Sequence, residues 1–135
     1  MVNVETPWVD RSFRVMGTNA RILALGGAPE IVDRAQDRLD ELEGLWSRFR
    51  PDSEVSLLNA AGGDRPVVVS PLTFTLIAHA VEAWRRTNGR FDPTGLSALE
   101  AWGYDRDWDQ VRDGSPTESA GGGTAPLVGC SGIQM

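Results

Sequence analysis

Cysteine and histidine are nearly missing from this chain, which has one of each, Cys130 and His79. A single cysteine excludes an internal disulfide, and with it the small secreted scaffolds that depend on several. No apolar run approaches the roughly 20 residues that a membrane span requires. Residues Met1 to Trp8 lack both the basic start and the apolar stretch of an export signal, so a cytoplasmic location is expected. Positive charge is short as well. Thirteen Lys and Arg stand against 19 Asp and Glu, for a net charge of −6, and the basic residues are interleaved with acids. A phosphate-backbone binder needs clustered basic side chains, so no nucleic-acid partner is expected.

What the chain does have is enough apolar material for a core. With 135 residues, 41% of them apolar, and five Trp, it suits a globular domain. Residues Ser12 to Leu25 read as strands. Phe13 and Val15, then Ala20, Ile22 and Ala24, alternate with polar or small residues. Met16-Gly17-Thr18-Asn19 lies between the two runs, which predicts a hairpin with Gly-Thr-Asn as turn chemistry.

From Pro29 to Phe49 the period changes to three and four, with Ile31, Val32, Ala35, Leu39, Leu42, Leu45, Trp46 and Phe49 on one stripe. The charges between them read as a solvated face rather than a metal site. After Arg50-Pro51, Asp52 or Ser53 can cap a short helix through Asn59, with Val55, Leu57 and Leu58 as its apolar contacts. Pro66 to Val69 reads as a short strand. Ser70-Pro71 opens a second long helix with Leu72, Thr75, Leu76, Ala80, Val81 and Trp84 inward, and Gly89 is its stop. A short helix is expected from Leu96 to Trp102. From Asp113 to Gly132 the composition turns to Gly, Ser, Thr and Pro, as in a linker, and Gly132 to Met135 reads as the opening of a strand.

Several motifs fail on inspection. Asp105, Asp107 and Asp109 begin like a calcium loop, but Gln110 and Pro116 occupy the positions that need Gly and Glu. Gly121-Gly122-Gly123 precedes no Lys-Ser or Lys-Thr and follows no strand, so it is neither a P-loop nor a dinucleotide fingerprint. His79 and Cys130 have no catalytic partner nearby in sequence, so His79 reads as a packing or surface residue and Cys130 as a buried or idle thiol.

Three spaced signatures remain. They are Phe13-Arg14-Val15-Met16-Gly17-Thr18, then Glu43 through Ser56 with Leu58-Asn59, then Thr87-Asn88-Gly89-Arg90-Phe91-Asp92-Pro93-Thr94 with Trp102-Gly103-Tyr104-Asp105. In this order and spacing they resemble the FAD:protein FMN transferases, the ApbE or flavin-transferase family, over roughly Phe13 to Asp105.

The resemblance implies an enzyme that binds FAD and moves its FMN half to a threonine hydroxyl of an acceptor flavoprotein, with magnesium, releasing AMP. It implies a cofactor-binding role for Met16, Phe49, Arg90, Phe91 and Asp92: Met16 packs on the nucleotide, Phe49 offers an aromatic face where the family often has Tyr, and Arg90, Phe91 and Asp92 line the pocket. It places no catalytic residue and no Mg2+ ligand in this chain, because the family's Asp-x-Gly-Gly, Lys-Gly and Asp-x-x-x-Thr segments are not found before Met135. Residues 1–135 alone are therefore expected to be an incomplete, inactive part of the enzyme. The alternative is a flavin-binding or scaffold domain without catalysis. The expected fold is α+β, with two main helices packed on a small, mostly antiparallel sheet. Residues 1–112 would form the N-terminal part of the flavin-transferase domain, and 113–135 a linker with the start of a strand.

Overall fold

The computed structural model describes residues 8–106, 113 and 129–135. The chain divides into two compact units, Met1–Ala60 and Ala61–Met135. The class is α+β, with four α-helices and a two-stranded antiparallel sheet among the described residues.

The first unit begins with strands β1 (Trp8–Val15) and β2 (Thr18–Leu25), in a register running from Trp8 opposite Leu25 to Val15 opposite Thr18. Alternation does the work expected of it. Val9, Arg11, Phe13 and Val15, with Ala20, Ile22 and Ala24 across from them, form the more covered face. The turn differs from the Gly-Thr-Asn expectation. It consists of Met16 and Gly17 alone, at φ +51° and +69°, while Thr18 and Asn19 already belong to β2. A two-residue loop with both φ values positive matches the twist of the strands it joins, which favours this tight closure.

Helix α1 (Pro29–Trp46) packs on both strands. Proline at its first position fits the missing N–H there, Val32 is 0% exposed, and Arg11 of β1 reaches Asp33 and Gln36 on the helix. Ile31, expected on the inward stripe, is exposed. The helix also ends three residues earlier than the periodicity suggests. Ser47 turns to ψ 122°, so Phe49 lies beyond the helix. Helix α2 (Glu54–Ala61) follows, capped by Ser53, whose Oγ accepts the Ser56 amide at 3.0 Å. Val55 and Leu58 are half-buried on it, whereas Leu57 is exposed.

In the second unit, residues 66–69 form no strand, and Val68 is 98% exposed. A short β-prone run without a partner strand gains nothing from its propensity. Helix α3 (Pro71–Arg86) starts as expected, with Ser70 Oγ accepting the Thr73 amide. Its inward face is centred on Thr73 and Val81, with Ile77, Ala80 and Trp84 partly covered. Thr75 and Leu76, expected inside, are exposed.

Both helices of this unit end in the same way. Beyond α3 the Gly89 amide bonds back to the Trp84 carbonyl and Asn88 to Arg85. Beyond α4 (Leu96–Ala101) Tyr104 bonds to Leu99 and Gly103 to Glu100. Each is a Schellman motif, with Asn88 and Gly103 in the left-handed conformation that it requires.

At the far end Cys130–Gly132 forms a 3-10 turn, and no strand follows it, contrary to the strand opening expected there. The turn closes locally, with the Ile133 amide on the Cys130 carbonyl. The expected linker, apart from Asp113 and residues 129–132, lies outside the described residues, as do Asp107, Asp109 and the triple glycine. Among the described residues no helix is long and apolar enough to cross a membrane.

Candidate functional site

The first unit carries two of the five predicted site residues. Met16 occupies the hairpin tip at φ +51°, a conformation rare for a residue with a long side chain, and remains 50% exposed. Arg14 braces the same turn by donating to the Gly17 carbonyl at 3.3 Å. Strain of this kind persists where surrounding structure imposes it and is found disproportionately at functional positions.

Phe49 sits in the loop between α1 and α2, 43% exposed. Its amide donates to Ser47 Oγ, and the Arg48 guanidinium lies 4.2 Å from its ring centroid, a cation–π contact. The loop is closed from behind. The hydroxyls of Ser53 and Ser56 both donate to the Ser47 carbonyl, at 2.5 and 3.3 Å.

The second unit carries Arg90, Phe91 and Asp92 on the loop that leaves α3. The loop is tied to the helix end through Thr87, whose Oγ1 accepts the Phe91 amide at 3.0 Å while donating to the Ala83 carbonyl at 2.9 Å. Arg90 is exposed, Phe91 is 46% exposed and Asp92 is partly covered. Asp92 Oδ1 accepts the amide of Thr94 at 2.9 Å and its hydroxyl at 2.6 Å, closing an Asx turn over Pro93. The turn function of Asp92 is thus explicit in the geometry.

Sequence reasoning weighed Cys130 by itself and did not connect it or Gly129 with this loop. The amide of Gly129 donates to Thr94 Oγ1 at 3.0 Å, bringing the end of the chain to the loop. Cys130 is buried beside it. Burial pushes its thiol above the ordinary value, the Asp92 carboxylate adds to that rise, and Arg85 opposes it. A bond spanning 35 positions leaves no local trace in sequence. The one available signal was Thr94 itself, a hydroxyl two residues after an Asp.

Chemically, the first unit offers a thioether and an aromatic face at Met16 and Phe49, and the second, separately, a guanidinium, an aromatic face and a carboxylate at Arg90, Phe91 and Asp92. Such groups suit a flat heteroaromatic ligand with hydrogen-bonding edges. Magnesium requires several oxygen ligands, and among the described residues no three of His, Cys, Asp or Glu come together. The described residues therefore do not fit a metal site.

The ApbE family profile matches residues 16–135, and the chain belongs to the ApbE family. Three curated relatives are each called FAD:protein FMN transferase. The protein from Treponema pallidum is 28% identical over 103 residues, 71% of this chain and 28% of the relative. That from Chlamydia trachomatis is 32% identical over 74 residues, 55% and 22% of the two chains. That from Chlamydia pneumoniae is 28% identical over 80 residues, 59% and 24%. The crystal structure of the ApbE protein from Thermotoga maritima superposes with a TM-score of 0.63 at 25% identity, covering 76% of this chain and 34% of that one. The chain thus matches roughly a quarter of the length of these curated relatives.

Proposed function

We propose that this chain binds FAD, with Met16, Phe49, Arg90, Phe91 and Asp92 as its cofactor-binding residues, as part of an FMN transfer activity. The reading is supported by the family match over residues 16–135 and by the shared name of the three relatives. The observation that carries it furthest is that Met16, Phe49 and Asp92 each stand on a loop held in a fixed conformation. These are the strained Met16 turn, the serine-closed Phe49 loop and the Asx turn at Asp92.

In the transfer itself, a threonine oxygen of the acceptor forms a bond to the FMN phosphorus. The pyrophosphate bridge breaks, AMP leaves with the bridging oxygen, and the hydroxyl proton passes to a base. The reaction is governed by in-line positioning and charge neutralisation. The part assigned to this chain is to hold the flavin: Met16 and Phe49 against its apolar faces, Arg90 and Asp92 at polar edges. Magnesium, where it takes part, would be held by residues other than those described here. The acceptor is a flavoprotein, the setting is the cytoplasm, and residues 1–112 form the N-terminal part of the flavin-transferase domain.

The second reading is a flavin-binding domain that does not itself catalyse transfer. It is consistent with the described residues, among which no three of His, Cys, Asp or Glu come together. One experiment separates the two. The chain is incubated with FAD, Mg2+ and a threonine-containing acceptor peptide, with flavin fluorescence and peptide mass followed together. FAD binding without a peptide mass gain is the expected result for residues 1–135 alone. A gain equal to FMN would show transfer by these residues, and no binding would remove both readings.

A further inference from the structure

The loop carrying Asp92 and the segment that begins at Gly129 meet through one side chain. Thr94 Oγ1 accepts the Gly129 amide at 3.0 Å and donates to Asp92 Oδ1 at 2.6 Å, and the Thr94 amide donates to the same oxygen at 2.9 Å. A hydroxyl has one proton and two lone pairs, so these bonds coexist, and the short bond to the carboxylate is of the stronger, charge-assisted kind. Gly129 can approach because it is glycine. It lies at φ +72°, and a Cβ there would stand 3.3 Å from the Trp84 ring. Cys130, the next residue, is buried, with Asp92 and Arg85 as its charged neighbours. Among the described residues Asp92 Oδ2 has no hydrogen-bond partner.

We propose that Thr94 is a positioning residue that clasps the 129–135 segment to the Asp92 loop and fixes the carboxylate, with Oδ1 saturated and Oδ2 presented to an N–H or O–H group of a bound flavin nucleotide. The assignment rests on the reading of Asp92 as a pocket residue. Aspartate with one oxygen committed to its own turn has a single orientation to offer, which is how a carboxylate selects a donor edge rather than acting as a diffuse charge.

The test uses the full chain as Thr94→Val, which keeps the shape and removes the hydroxyl, and Thr94→Ser, which restores it. Two readouts are followed: the alkylation rate of Cys130, the sole thiol, under native conditions, and the FAD dissociation constant. Thr94→Val is expected to speed alkylation and weaken FAD binding, each by about five- to tenfold, the effect of losing one good hydrogen bond, while Thr94→Ser stays within about twofold of the parent. Alkylation of Thr94→Val at the parent rate overturns the clasp. Faster alkylation with unchanged FAD affinity overturns the positioning role. A parent chain that binds no FAD overturns the flavin reading and the positioning role together, and alkylation still decides the clasp. Should Thr94→Val fail to fold, Gly129→Ala opens the clasp from the other side, and its Cys130 must also react faster.

Discussion

Ser53, 1% exposed, donates its hydroxyl to the Ser47 carbonyl at 2.5 Å, and this bond closes the loop on which Phe49 stands. The same oxygen accepts the Ser56 amide, so one buried side chain ends the approach from α1 and begins α2. Ser53→Ala removes a helix cap and leaves the Ser47 carbonyl short of one of its two donors. It is expected to cost about 2 kcal/mol in urea denaturation. Thr at this position should restore part of that loss. A stability change within experimental error would contradict the assignment.

Met16 is predicted to trade stability for contact. At φ +51° a Met costs more than an Asn, and Asn-Gly is the preferred pair for such a turn. Met16→Asn is expected to stabilise the fold by about 1 kcal/mol, read from the same denaturation curves, and to weaken FAD binding. Stabilisation with unchanged affinity would remove Met16 from the pocket.

The inward face of α1 can be checked by a paired comparison. Val32 is fully buried and its neighbour Ile31 is exposed, although Ile31 is the larger side chain. Val32→Ala should cost about 2 kcal/mol, from two methyl groups and the space they leave, and Ile31→Ala under about 1 kcal/mol. The reverse order would mean that the helix is rotated on the sheet.

Much of this architecture is legible in local sequence. The hairpin alternation, the Pro29 and Ser70-Pro71 helix starts and the Ser53 cap each follow from rules spanning a few residues. The misreadings share a cause. The stripe Leu42, Leu45, Trp46, Phe49 continues the helical period, but the Ser47 carbonyl is engaged by hydroxyls six and nine positions away, and the helix stops. Thr73 is buried and Thr75 exposed although both hydroxyls are bonded locally, so residue type alone does not tell the inward threonine from the outward one. At the site, the motif positions are visible in sequence, whereas the Gly129–Thr94 bond depends on the fold.

Asp10 and Arg21 form a two-pronged ion pair on the outer face of the hairpin, at 2.9 and 2.6 Å. The hydrogen bond from Arg21 holds the Asp10 carboxyl below its ordinary value of 3.8; slight desolvation opposes this, and the charge of Arg21 assists. The pair's contribution to stability is therefore present above that value and lost as pH falls through the lowered one. Both groups are exposed, so added salt reduces the effect. NMR titration should place Asp10 low in the parent chain and return it to the ordinary range in Arg21→Gln.

The most direct test of flavin binding uses the three methionines, labelled with 13C at the methyl group and followed by NMR as FAD is added. A flavin ring packed on the hairpin tip shifts the Met16 methyl by its ring current, saturably. A Met16 signal that stays in place while FAD is demonstrably bound would contradict the assignment of this turn to the pocket.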